Sequence, residues 1–166
     1  MPQIGDPKQL FLHKLGAALT MEETIIGMLR ELEGKANETE LKEQLSHHRD
    51  ETQRQIANLT QAFGALDRKA QRQPCPAIDG LKTEGQRMLT QTTPQLHDAV
   101  ILSGCAEIEH HEIAVYEGLI AFADELGEED IVALLKENLE QEEHTLKEVE
   151  KAFELQSKRL AESIAA

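Results

Sequence analysis

Cys105-Ala-Glu-Ile-Glu-His-His-Glu-Ile-Ala-Val-Tyr116 is the stretch whose reading decides the fold of this chain. Its apolar residues recur at helical spacing, and Glu109 and Glu112 stand three residues apart among small and apolar side chains. Positions three apart on a helix are surface neighbours. A carboxylate in a core stripe is costly unless a cation or a proton compensates it. If other helices bring carboxylates to the same depth, the stretch belongs to a metal site; if they do not, it belongs to a polar bundle.

Outward from this stretch, Thr93-Pro94 is a cap followed by proline at the first helical position, and Gly127 is a C-terminal stop, which predicts a helix over 94–126. Its stripe runs through Ile101, Ile108, Glu112, Val115 and Leu119, so Glu112 points inward. Glu109 sits on one shoulder with Cys105 and Tyr116, His111 on the other, and His110 points away. The next helix, 130–163, carries Ile131, Leu135, Leu139, Leu146 and Val149, with Glu142 at the centre of the stripe and Glu140 and His144 on the opposite face. Beyond Phe153 it turns Lys- and Glu-rich and is expected to project or fray.

Upstream, Asp6-Pro7 repeats the cap-plus-proline signal and opens a helix over 7–33. Phe11, Leu15, Leu19, Ile26 and Leu29 define its stripe, with Glu22 at the centre and Glu23 at the edge. Asn37-Glu-Thr-Glu40 reads as a variant capping box for a helix over 38–65. Leu41, Leu45, His48, Thr52, Ile56 and Leu59 form that stripe, and Glu51 lies at its flank. The pattern lapses from Asp67 to Ala77, where Pro74 and Pro76 disfavour helix in the residue before them. A short helix over 78–91 follows, inside a connection long enough to run the length of a bundle.

Composition agrees with an all-α fold in a single domain of 166 residues, since good helix formers dominate and only one Tyr and four Phe are present. The net charge of −14 argues against binding to nucleic acid or to an anionic membrane. No apolar run approaches the ~20 residues of a membrane helix, and the N-terminus shows no signal peptide. Two cysteines without a CxxC pattern suit a reducing compartment, so a cytoplasmic location is expected. Cys105 reads as a small buried hydrophobe and Cys75 as an exposed loop thiol.

The short loops at 34–37 and 127–130 make antiparallel hairpins of the first and second pairs of long helices. Glu22 lies twelve residues before Gly34, and Glu51 lies fourteen after Asn37. Glu112 lies fifteen before Gly127, and Glu142 twelve after Asp130. At about 1.5 Å per residue, each pair agrees in height within a turn. Glu22, Glu51, Glu109, Glu112 and Glu142 thus fall at one level of one bundle, where like-charge repulsion and desolvation prevent all five from ionising. No inward Lys or Arg shares that level, which points to divalent cations, iron or manganese, as the compensation. Inward Glu from four helices with a crossover connection is the ferritin-like dinuclear arrangement. His48 is a ligand or a partner of Glu51, and Tyr116, seven residues beyond Glu109, either donates to a bound carboxylate or packs.

Met21-Glu-Glu, His48-Arg-Asp-Glu-Thr52, Glu109-His-His-Glu-Ile-Ala-Val-Tyr116, Leu139-Glu-Gln-Glu-Glu143 and the Pro74-Cys-Pro connection resemble the YciE/YciF family of ferritin-like bacterial stress proteins. The resemblance runs along nearly the whole chain and implies a four-helix bundle with a di-metal centre. The Glu-x-x-Glu of the 94–126 helix is also similar to that of rubrerythrin-like proteins, whose second and fourth helices carry Glu-x-x-His. Here the residue three after Glu51 is Arg54 and the residue three after Glu142 is Thr145. His48 replaces one histidine from the other side of Glu51, and nothing replaces the second. The expected function is Fe(II) oxidation or peroxide removal by a homodimer, with Glu22, Glu51, Glu112 and Glu142 as ligands, Glu109 bridging or terminal, and His48 at the edge. The competing expectation is a non-enzymatic structural or interaction protein with a degenerate metal site.

Overall fold

Asp6 starts the first helix: its side chain accepts from the Lys8 N–H at 3.2 Å, and Pro7 follows with its φ already set for helix. In this computed structural model, which describes residues 3–165, the chain forms α1 (Pro7–Glu33), α2 (Thr39–Ala65), α3 (Pro76–Gln91), a 3-10 turn (Pro94–Leu96), α4 (His97–Glu125) and α5 (Glu129–Ala165). No strand occurs among the described residues. Helices α1 and α2 pack as one hairpin and α4 and α5 as the other, with α2 on α5 and α1 on α4 closing a ferritin-like four-helix bundle. The crossover carries α3 along the outside of α4 and α1.

Backbone chemistry sets the two sharp helix ends. At the end of α4, Gly127 takes φ 73°, the Glu128 N–H donates to the Ala123 carbonyl and the Gly127 N–H to the Asp124 carbonyl. That is a Schellman stop, as the glycine predicts. The same bond pattern ends α2, where the Arg68 N–H donates to Phe63 and the Asp67 N–H to Gly64, with Asp67 at φ 54°. Aspartate is one of the few non-glycine residues that tolerate this region.

The first hairpin is pinned to the second by Asp98. Its carboxylate accepts from the Asn37 N–H at 2.7 Å and the Glu38 N–H at 3.1 Å, both orphan donors at the start of α2. This replaces the expected capping box: Glu38 is the cap residue and makes no side-chain cap bond, while the Asn37 amide turns to the Pro94 carbonyl at 2.8 Å. Close approach fixes the crossover on α1, where a Cβ on Gly16 would lie 2.3 Å from the Gln71 carbonyl oxygen. The Gln73 N–H donates to the Gly16 carbonyl at 3.0 Å in the same place.

Two expectations are corrected and a third is narrowed. Cys75 is buried at the start of α3, because the Pro-Cys-Pro segment lies against the bundle. Of the two outcomes expected beyond Phe153, projection is the one found, since α5 stays helical to Ala165 with Leu155 and Ile164 exposed. On α2 the fully inward residue is Gln55, while Ile56 is only partly buried. Between α1, α3 and α4 lies an apolar cavity of about 400 Å³, bordered by Gly85 and Gly104.

Candidate metal centre

Three helices deliver carboxylates to the middle of the bundle, and the fourth delivers an imidazole. Glu22 on α1, Glu109 and Glu112 on α4, and Glu142 on α5 are all at 0% exposure, and His48 on α2 is at 5%. One ligand atom each of His48, Glu109, Glu112 and Glu142 lies within 4.8 Å of the other three. Glu109, placed on a shoulder by periodicity, is as deep as Glu112 because α2 and α5 cover that side of α4: His48 Nδ1 is 3.5 Å from Glu109 Oε1, and His48 Nε2 is 3.9 Å from Glu142 Oε2.

Glu22 and Glu51 stand outside this group of four. Glu22 Oε1 accepts from the Tyr116 hydroxyl, and its carboxyl faces that of Glu112. Glu51 is 13% exposed, with His47 Nε2 at 3.5 Å and Arg54 at 4.0 Å on its solvent side. Tyr116 therefore has both roles left open by its spacing, since it is fully buried and also donates to a carboxylate.

Sequence periodicity missed two polar residues here. Asn138 on α5 donates to the Tyr116 oxygen at 3.1 Å and to the Gln55 carbonyl at 3.3 Å, and it accepts from the Asn58 amide at 2.8 Å. The Gln55 side chain, at 0% exposure, has no hydrogen-bond partner on either terminal atom. A signal for each was present: Gln55 lies seven residues beyond His48, and Asn138 lies four before Glu142, so both share an inward face.

Burial governs the electrostatics. It raises Glu22 from 4.5 to about 7, against the hydrogen bond from Tyr116, and raises Glu109 to about 8. Glu112 and Glu142 are pushed well up by burial and then by the neighbouring acids. His48 moves the other way, down to about 4, through burial and then the repulsion of His47. Its distances to Glu109 and Glu142 are those of an ion pair, yet the imidazole is neutral and keeps a lone pair free to coordinate.

The donor set fits a bound cation. Both carboxylate oxygens of Glu109, Glu112 and Glu142, Oε2 of Glu22 and Nε2 of His48 are buried without a hydrogen-bond partner. Buried polar atoms are nearly always satisfied, and a cluster of orphans at one place calls for an ion or protons. Carboxylate oxygens with one imidazole nitrogen suit hard or borderline divalent metals. This buried His/Glu group can hold a metal ion.

Comparison with known proteins places the chain. Residues 6–162 match a family described as a domain of unknown function, DUF892. The protein YciF of Escherichia coli is 29% identical over 140 residues, covering 83% of this chain and 84% of YciF. The crystal structure of that protein, described as a stress protein, superposes with a TM-score of 0.88 at 26% identity, covering 93% of this chain and 99% of the other. YcfI of Rhodopseudomonas palustris, described as a candidate structural protein, superposes with a TM-score of 0.87 at 36% identity, over 89% of this chain and 95% of that one. The resemblance read from Glu109-His-His-Glu-Ile-Ala-Val-Tyr116 thus extends through the sequence and the bundle alike, and the chain belongs to the DUF892 family of YciF-like proteins.

Proposed function

We propose that this chain is a ferritin-like, stress-associated protein that binds iron or manganese in a carboxylate-rich centre. His48, Glu109, Glu112 and Glu142 would hold one ion. Glu22, facing Glu112 across the centre, would contribute to a second. The observation that carries this reading is the set of buried, unpartnered ligand atoms converging from all four long helices. When bound there, Fe(II) would supply the electrons that reduce dioxygen or peroxide, itself becoming Fe(III). The protein's own contribution is to keep His48 neutral and to hold Glu22 through Tyr116 and Asn138. Homodimer formation in a reducing, cytoplasmic compartment fits two unpaired cysteines and the exposed Met88 and Leu96 beside the apolar cavity. Among the described residues no helix is long and apolar enough to cross a membrane.

The test is metal content and Fe(II) oxidation of purified protein after reconstitution with Fe(II) or Mn(II), set against the double variant Glu112→Ala, Glu142→Ala. Bound metal in the wild type and its loss in the variant support the centre. Absence of metal and of oxidase activity in both refutes it. A second reading, a structural or interaction protein with a degenerate site, is favoured by one observation. Arg54 and Thr145 stand where rubrerythrin-like proteins have histidine.

A further inference from the structure

The ligands of the proposed centre are sealed from solvent, so an ion needs a route to them. Three larger cavities among the described residues, including that of about 400 Å³ beneath α3, border none of the site's side chains. One narrow cleft does. It opens between α2, α4 and α5, has room of about 20 Å³, and is lined by His47, His48, Glu51, Cys105, Thr145 and Glu148 among others. That room is of the size of a single water molecule, or of a small cation that has shed most of its hydration.

The acids along this cleft form a gradient of exposure. Glu148 is at the surface with its side chain 51% exposed, Glu51 is at 13%, and Glu109 and Glu142 behind it are at 0%. The floor is His48, whose Nε2 is buried without a hydrogen-bond partner and lies 3.9 Å from Glu142. The Glu51 carboxylate is close enough to act on both Glu109 and Glu142 electrostatically, yet it is not among the clustered ligands. His47 and Arg54 hold it on the outer side at 3.5 and 4.0 Å.

We propose that this cleft is the uptake route for the divalent cation, and that Glu51 is a transfer residue at its threshold and not a resident ligand. Glu148 and Glu51 attract the ion, Glu51 replaces part of its water shell, and His48 with Glu142 receives it. Steering by a cleft lined with one sign of charge raises on-rates by about tenfold or more and weakens with salt. The inference rests on the metal-binding reading above.

The experiment follows Co(II) uptake by the metal-free protein in stopped flow, using the ligand-field absorption, and Co(II) release to excess EDTA. Wild type, Glu51→Gln and Glu148→Gln are compared at low and high salt. Loss of a transfer residue slows passage in both directions, so Glu51→Gln is expected to load and release roughly tenfold more slowly at unchanged stoichiometry. Glu148→Gln is expected to slow loading less and to reduce its salt dependence. Loss of a ligand does the opposite to release. Faster release or lower stoichiometry in Glu51→Gln makes Glu51 a ligand and overturns the proposal, as do wild-type rates. A wild type that takes up no Co(II) removes the metal-binding reading itself, a failure distinct from wild-type uptake that is indifferent to Glu51.

Discussion

A buried acid cluster without its cation penalises the folded state at every pH where its members ought to ionise. Glu22 is raised from 4.5 to about 7 and Glu109 from 4.5 to about 8 by burial. Raised carboxyl groups mean that the folded metal-free protein binds more protons than the unfolded chain between about 4.5 and 8. Stability is therefore full below the unfolded value and falls as pH rises through that window. A tenfold change in a proton equilibrium is worth about 1.4 kcal/mol. The displacement of Glu22 alone corresponds to roughly 3 kcal/mol, and that of Glu109 to roughly 5 kcal/mol. The acids titrate as one cluster, so the two displacements are not simply summed, and with Glu112 and Glu142 raised as well a loss of at least about 3–5 kcal/mol is expected between pH 5 and pH 9. For a chain of this length that lowers Tm by roughly 6–20 °C. A cation substitutes for the protons. Mn(II) at about a hundred times its Kd restores about 2.7 kcal/mol at pH 8, and far less at pH 5, where the acids keep their protons. The assay is thermal unfolding in EDTA and in Mn(II) at both pH values. A Tm in EDTA that stays level from pH 5 to 9, or a rise with Mn(II) of equal size at both, refutes the account.

Three further outcomes are expected. Glu112→Gln removes one member of the repelling group at nearly constant shape, so at pH 8 the metal-free variant should unfold about 1–3 kcal/mol later in urea than wild type, while losing the Mn(II)-dependent rise. Asp98→Ala deprives the N-terminal donors of α2 of their acceptor and should cost about 1–3 kcal/mol, read as a lower urea midpoint at an unchanged slope. Two helical glycines should respond with opposite signs. Gly16→Ala places its methyl 2.3 Å from the Gln71 oxygen and should lower Tm, whereas Gly104→Ala meets nothing within 4 Å and should raise stability by about 0.5–1 kcal/mol.

Helix positions, the two hairpins and the common height of Glu22, Glu112 and Glu142 were all legible in the sequence, because they rest on spacing. Apolar residues at intervals of three and four mark one face of a helix, proline and glycine mark its ends, and a fixed rise per residue converts loop distance into depth. The bond patterns at Asp6 and Gly127 bear this out. The family resemblance was legible for the same reason, in motifs that keep their spacing.

Sequence by itself could not rank residues on the shoulders of the stripes, since that ranking depends on what covers them. Glu109 and Glu51 both sat beside a stripe, yet Glu109 is sealed beneath α2 and α5 while Glu51 reaches the surface beside His47 and Arg54. His48 became part of the clustered set only because α2 packs on α5 and faces α4 across the core at that height. Periodicity did not single out Gln55 or Asn138; packing buries both, with Asn138 donating to Tyr116 and to the Gln55 carbonyl. Periodicity sees one helix at a time, and burial is a property of several. The sequence alone determined that acids meet at mid-bundle; the tertiary structure decided which of them are cut off from water, and desolvation is what turns an acid into a candidate ligand.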